Sequence, residues 1–142
     1  MVFLGEFHHS LDDKGRVILP SKFRDPLSRG AIISKGDGCL FIYTLSEFEE
    51  VANEIREKSK ASPQAREAAR SFFAGASDVT PDKQGRLNLP NPLRNYAKLK
   101  KEVTLLGVYS RIEIWDKATW NERSLSGDAT LNDTQNLPDL GI

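Results

Sequence analysis

The stretch DDKGRVILP at residues 12–20 returns as PDKQGRLNLP at residues 81–90. At an offset of 70, residues 5–24 overlie 75–94 with seven identities in twenty positions. The identities are Gly5, Asp12, Gly15, Arg16, Leu19, Pro20 and Arg24 over Gly75, Asp82, Gly85, Arg86, Leu89, Pro90 and Arg94. Further on the offset becomes 72, and Leu40, Ile42, Tyr43 and Phe48 lie over Ile112, Ile114, Trp115 and Trp120. The chain therefore reads as two copies of one unit of roughly 50 residues and must build both halves alike.

Each copy predicts the same order of elements. A strand runs toward an Asp-x-x-Gly-Arg turn, and a second strand leaves it at residues 16–19 and 86–89. In that second strand Val17 and Leu19 alternate with Arg16 and Ile18, the period of a half-buried strand. A short helix follows, with Asn91 before Pro92 read as an N-cap with proline at N1, and Ser21 in the same place in the first copy. Two more strands are predicted at 31–34 and 39–43, joined by the turn Lys35-Gly36-Asp37-Gly38, with counterparts at 102–106 and 111–115. Each unit closes with a helix. Ser46 and Glu49 read as a capping box for the first, with Phe48, Val51 and Ile55 as its apolar stripe. Asp116 is read as the cap of the second, over 117–123. Between the copies, Ser62-Pro63 opens a helix with an apolar face of Ala65, Ala68, Ala69, Phe72 and Phe73. That face is expected to pack on the preceding helix or on a neighbouring subunit.

The 142 residues suit one compact domain. We place it at 1–124, with repeats at about 5–52 and 75–123, a helical connector at about 53–74, and a disordered acidic tail at 125–142. Twenty basic residues balance twenty acidic ones, but unevenly. The tail holds three acids and no base, and residues 82–101 hold six bases and one acid. Such a local basic stretch matters more to a polyanion than net charge, because the field decays within a Debye length. The single cysteine, Cys39, has no partner for a disulfide, which fits a reducing cytoplasm, and reads as a small buried apolar residue. No run approaches the ~18 apolar residues of a membrane span. The start, MVFLGEFHHS, has no basic region ahead of a long apolar run and is not read as a signal peptide.

The repeated turn carries the chemistry. Gly15 and Gly85 supply a positive-φ position for a tight reversal. Asp12 and Asp82 can accept hydrogen bonds from turn amides and hold Arg16 and Arg86 in a two-pronged pair. A rigid tip with an oriented arginine and a flanking Lys14 or Lys83 suits nucleic acid. Arginine pairs with guanine O6 and N7 in the major groove, while lysine attracts phosphate without reading sequence. A turn with a surface ion pair, preserved by duplication, is the plainer alternative. Lys22, Arg24, Arg94, Lys98, Lys100 and Lys101 are further phosphate candidates, although Arg24 and Arg94 equally suit locking the short helix to the fold. His8 and His9 point to opposite faces of a strand and make no metal site. The four glutamates at 49, 50, 54 and 57 read as a solvated helix face, and Trp115 and Trp120 as core. No phosphate loop, nucleophile elbow or acid/base pair stands out, so no enzyme activity and no cofactor is expected.

The paired D-x-x-x-R motifs, with the L-P-x-x-x-R segments at 19–24 and 89–94, resemble the MraZ family of bacterial transcriptional regulators over residues 1–124. The resemblance implies an α+β, mainly β fold: a double-psi-like, swapped-hairpin barrel of the AbrB type, with both halves in one chain and flanking helices. It also implies a ring-like homo-oligomer binding short direct repeats in double-stranded promoter DNA. In the family that promoter drives the division and cell-wall gene cluster, including the regulator's own gene. The family's DNA-contact signature falls on Asp12, Lys14, Gly15 and Arg16, and on Asp82, Lys83, Gly85 and Arg86. A cytoplasmic, nucleoid-associated location follows. The competing expectation is an oligomeric assembly or antitoxin-type protein-interaction module.

Overall fold

The structure is a computed structural model and describes residues 2–133. The first half runs β1 (Phe3–Ser10), β2 (Arg16–Ile18), α1 (Ser21–Arg24), a 3-10 turn (Asp25–Leu27), β3 (Ala31–Lys35), β4 (Leu40–Thr44) and α2 (Leu45–Ser59). Helix α3 (Pro63–Gly75) leads into the second half. There follow β5 (Ser77–Val79), β6 (Arg86–Asn88), α4 (Asn91–Tyr96), β7 (Glu102–Tyr109), β8 (Ile112–Asp116) and α5 (Lys117–Asn132). The architecture is α+β, built on a large antiparallel sheet with several helices, as the resemblance implied.

The strands pair across the halves. A six-stranded antiparallel sheet has the order β1-β7-β8-β4-β3-β5, and β2 and β6 form a separate two-stranded ribbon. The first strand of each half thus lies against the third strand of the other: β1 on β7, and β5 on β3. The registers show a pseudo-two-fold relation. In the ribbon Val17 faces Leu87, with Arg16 opposite Asn88 and Ile18 opposite Arg86. In the sheet Phe41 faces Glu113, between the pairs Leu40–Ile114 and Ile42–Ile112. This exchange replaces the simple reversal expected at the Asp-x-x-Gly-Arg turns. Each turn closes locally, yet the strands on either side of it go to different partners.

One core holds ribbon and sheet together. Val17, Leu19, Leu87 and Leu89 are fully buried against Ile33, Leu40, Ile42, Val103, Leu105, Ile112 and Ile114. Phe23 and Leu93, from the short helices, close the ends of this cluster. The strand alternation read at 16–19 is therefore the alternation of burial, with Ile18 left exposed.

Several helix ends differ from the sequence reading. Thr44, not Ser46, caps α2: its hydroxyl accepts from the Glu47 amide at 3.2 Å. Pro20 and Pro90, rather than Ser21 and Asn91, stand before α1 and α4, and neither helix has a side-chain cap. Asp116 occupies the N-cap place of α5, but its carboxylate accepts from the Lys100 amide at 3.1 Å instead. Ser62 does cap α3, through the Ala65 amide, with Pro63 at N1. Helix α5 continues past Arg123 to Asn132, so residues 125–132 are helical rather than disordered; residues 134–142 lie outside the described part. Helix α5 buries no residue, and so it leaves no apolar stripe for a pattern to find. The middle helices pack on each other, with Phe48 and Phe72 stacked at 6.0 Å between ring centres.

Candidate nucleic-acid interface

The two Asp-to-Arg turns lie beside the β2–β6 ribbon and have the same internal wiring. The Asp12 amide donates to the Arg16 carbonyl at 2.9 Å, and the Gly15 amide to the Asp12 carbonyl at 3.0 Å. Asp82, Gly85 and Arg86 repeat these bonds at 2.9 and 3.0 Å. Gly15 and Gly85 sit at φ +77° and +79°, a region costly for other residues. A second reason for glycine appears only in three dimensions. The guanidinium of Arg94 lies over Gly15, and that of Arg24 over Gly85, so a Cβ at either glycine would push that guanidinium aside.

Each aspartate orients its arginine. Asp12 Oδ1 accepts from the amides of Lys14 and Arg16, both at 2.9 Å, and Oδ2 accepts from Arg16 Nε at 2.7 Å. Asp82 does the same with Gln84 and Arg86, at 3.0, 2.9 and 2.7 Å. The expected two-pronged guanidinium pair is not formed. One prong goes to Nε and the others to backbone amides. The difference matters chemically, because the aspartate takes no bond from the terminal nitrogens that can fork onto a guanine edge; in Arg86 one of these, Nη2, donates to Gln84 instead. These bonds to the ionised form, those of the Arg16 and Arg86 amides first, hold the Asp12 and Asp82 carboxyls below their ordinary 3.8, against some desolvation.

The ribbon brings the two arginines to one face. Paired residues in an antiparallel ladder share a face, so Arg16, Asn88, Ile18 and Arg86 lie outward while Val17 and Leu87 point into the core. Arg16 and Arg86 are diagonal neighbours, about 7–8 Å apart in a regular ladder. Their side chains are 26% and 32% exposed, braced yet accessible. Asn88 had drawn no attention in the sequence, although its place two residues after Arg86 carries the signal.

The remaining candidates are placed less alike. Lys14 and Lys83 are both exposed but occupy different turn positions, since Lys83 matches Asp13 and Lys14 matches Gln84. Gln84 was not singled out from sequence, and its Oε1 accepts from Arg86 Nη2 at 2.7 Å. Arg24 and Arg94 donate through Nε to the Leu19 and Leu89 carbonyls at 3.0 and 2.9 Å. Each thereby fastens its short helix to the ribbon end and covers the other half's turn. Lys22 stands off the ribbon, over the Phe7 ring at 5.1 Å. Cys39 is buried, and desolvation with the nearby Glu113 charge pushes its thiol up to about 12. Among the described residues no helix is long and apolar enough to cross a membrane.

Comparison with known proteins agrees with this two-fold organisation. The family model described as "MraZ protein, putative antitoxin-like" matches twice, at residues 2–71 and 72–133. The chain is similar to a protein named "Transcriptional regulator MraZ" of Clavibacter michiganensis subsp. michiganensis (strain NCPPB 382), at 46% identity over 94% of both chains. It is equally similar to a protein of the same name from Clavibacter sepedonicus, again 46% identical over 94% of both.

Proposed function

The chain belongs to the MraZ family, and from that premise we propose that it is a transcriptional regulator reading double-stranded promoter DNA with the outer face of its β2–β6 ribbon. One observation carries the reading: Arg16 and Arg86 share that face, each braced through Nε by an aspartate four residues earlier. A two-stranded ribbon fits the major groove, which is about 12 Å wide. A spacing of about 7–8 Å between the arginines spans about two base-pair steps of ~3.4 Å. Asp12 and Asp82 hold the arginines, Gly15 and Gly85 shape the turns, and Lys14 and Lys83 attract phosphate. Arg24 and Arg94 secure the short helices and lie close enough to the turns to meet the backbone; Lys22 is a more distant phosphate contact.

One ribbon touches few base pairs. A ring-like homo-oligomer would align several ribbons on short direct repeats, and linked sites gain affinity through effective concentration. The promoter proposed, on the strength of the family resemblance, is that of the division and cell-wall gene cluster with the regulator's own gene. A non-enzymatic, cytoplasmic and nucleoid-associated protein is the corresponding picture. The α2–α3 pair favours a self-association role beside DNA binding. Neither helix buries a residue, and Ile55, Ala65, Ala68, Ala69 and Phe72 line an open apolar groove. An antitoxin-type protein partner on that groove is the alternative reading.

The test is footprinting of the full chain on its own upstream DNA, followed by titration of variants. Arg16→Ala and Arg86→Ala should each lose about 1–3 kcal/mol of specific binding, roughly ten- to hundredfold, with an unchanged circular dichroism spectrum. Lys14→Ala and Lys83→Ala should weaken binding to all sequences and flatten the salt dependence by about one ion each. Full affinity in both arginine variants would remove the ribbon as the reader.

A further inference from the structure

The two halves brace their arginines alike, but the ground beside them is charged differently. The Leu11 amide donates to the Lys101 carbonyl at 2.8 Å, which seats this segment next to the residue preceding Asp12. There Lys100, Lys101 and Lys117 line an open depression together with Glu102, Asp116 and Asn121. The two acids are occupied. Asp116 is buried and accepts from the Lys100 amide, and Glu102 accepts from the Ser10 hydroxyl at 2.8 Å. The pseudo-symmetric depression beside the other turn is lined by Arg29, Leu45 and Asp78. By the repeat offset Arg29 matches Lys101, and Leu45 matches Lys117.

The tips themselves differ in the opposite sense. The first carries Asp13 where the second carries Lys83. Gln84 Oε1 holds Arg86 Nη2 in the second, whereas Lys14 in that place offers Arg16 no acceptor. The second tip thus carries one positive charge more than the first, while the lysine flank lies beside the first. A half-turn about the pseudo-two-fold axis would exchange the two braced arginines, but it would bring Ser28, Arg29 and Leu45 to the places of Lys100, Lys101 and Lys117.

We propose that the Lys100–Lys101–Lys117 flank is a phosphate-contact surface that makes the ribbon directional, so that each chain binds a DNA box in one orientation. The proposal rests on the ribbon being the reader. Lysine contacts release counterions wherever phosphate is met and carry no base information. Set on one side only, they still distinguish the two ways a pseudo-symmetric ribbon can lie in the groove. The arginines choose the box, and the flank chooses which end is which.

Affinity cleavage on a duplex with a single footprinted box tests this in the full-length chain. Asn121→Cys places a tethered iron chelate on the lysine flank, and Glu49→Cys places one at the related position on the other flank. Cys39, buried and with its thiol pushed up to about 12, stays unlabelled. The Asn121→Cys label should cut on one side of the box and the Glu49→Cys label on the opposite side. Replacing Lys100, Lys101 and Lys117 together with alanine should make the cuts two-sided and lower the salt slope by about three. Arg29→Ala should leave them one-sided. Equal cutting on both sides by the unaltered flank overturns the proposal, as does one-sided cutting that survives loss of the three lysines. A chain that gives no footprint at all refutes the ribbon reading itself, a failure visible before any label is attached.

Discussion

At the scale of the residue, the Asp12–Arg16 and Asp82–Arg86 pairs act through geometry more than through energy. Exposed ion pairs add little to stability. What each carboxylate supplies is a fixed direction for a guanidinium, because it takes Nε and two amides at once. Both carboxyls sit below 3.8 because those bonds favour the ionised form. A carboxyl depressed by folding stabilises the fold above its ordinary pKa, and that contribution is lost as pH falls through the lower, folded value. Carbon-detected NMR titration should therefore give Asp12 and Asp82 midpoints under 3.8. The Arg16 and Arg86 Nε–H signals should shift with the same midpoints, and Arg16→Ala should raise that of Asp12. Any change of binding with pH above about pH 5 should not come from these two groups, which stay ionised there. A midpoint at or above the ordinary value would mean the brace is absent in solution.

At the scale of the element, the same repeat position has been put to different uses. Thr44 and Asp116 are equivalents at the ends of β4 and β8. Thr44 caps its own helix, while Asp116 reaches back to the Lys100 amide. Thr44→Ala should cost about 1 kcal/mol, in the range of 0.5–2 for a lost cap. Ser46→Ala, at the second residue of the helix, should change stability by less than half as much. Urea denaturation of the two variants checks the order. The reverse order would restore Ser46 as the cap. The ribbon is also an element whose role is larger than its length. Three residues per strand bury Val17 and Leu87 completely, and the Gly85 and Gly15 carbonyls accept from the Leu19 and Leu89 amides at 2.8 and 3.1 Å. The outward arginines inherit their position from those inward contacts.

At the scale of the whole molecule, strand exchange makes the halves interdependent. Of the five sheet pairings, β1–β7, β3–β5 and β4–β8 join the halves, as does the ribbon. Residues 1–75 alone keep only the β3–β4 ladder and leave their ribbon strand unpaired. Expressed separately, that half should be unfolded as a monomer at low concentration, and should gain sheet on mixing with residues 76–142 or by pairing with itself. Circular dichroism with sedimentation checks this, and a stable folded monomer of the first half would contradict the exchanged topology. The same interdependence explains how one chain presents two arginines on one face without a partner chain.

The turns were legible because their causes are local. An aspartate, its amide donors and a positive-φ glycine all lie within five residues, Asp12 to Arg16, so spacing alone announces them. The buried face of 16–19 was equally legible, as a strand exposes its period directly. Tertiary structure alone decided that β2 lies on β6, that the Arg94 guanidinium lies over Gly15, and that Arg16 and Arg86 look outward together. These facts join residues about seventy positions apart, and strand register over such a distance is set by burying the whole apolar face at once. No short window of sequence contains that sum. The α2 cap escaped for a related reason: where β4 leaves the sheet determines which hydroxyl meets the first free amide of α2, and the strand's exit is a property of the sheet.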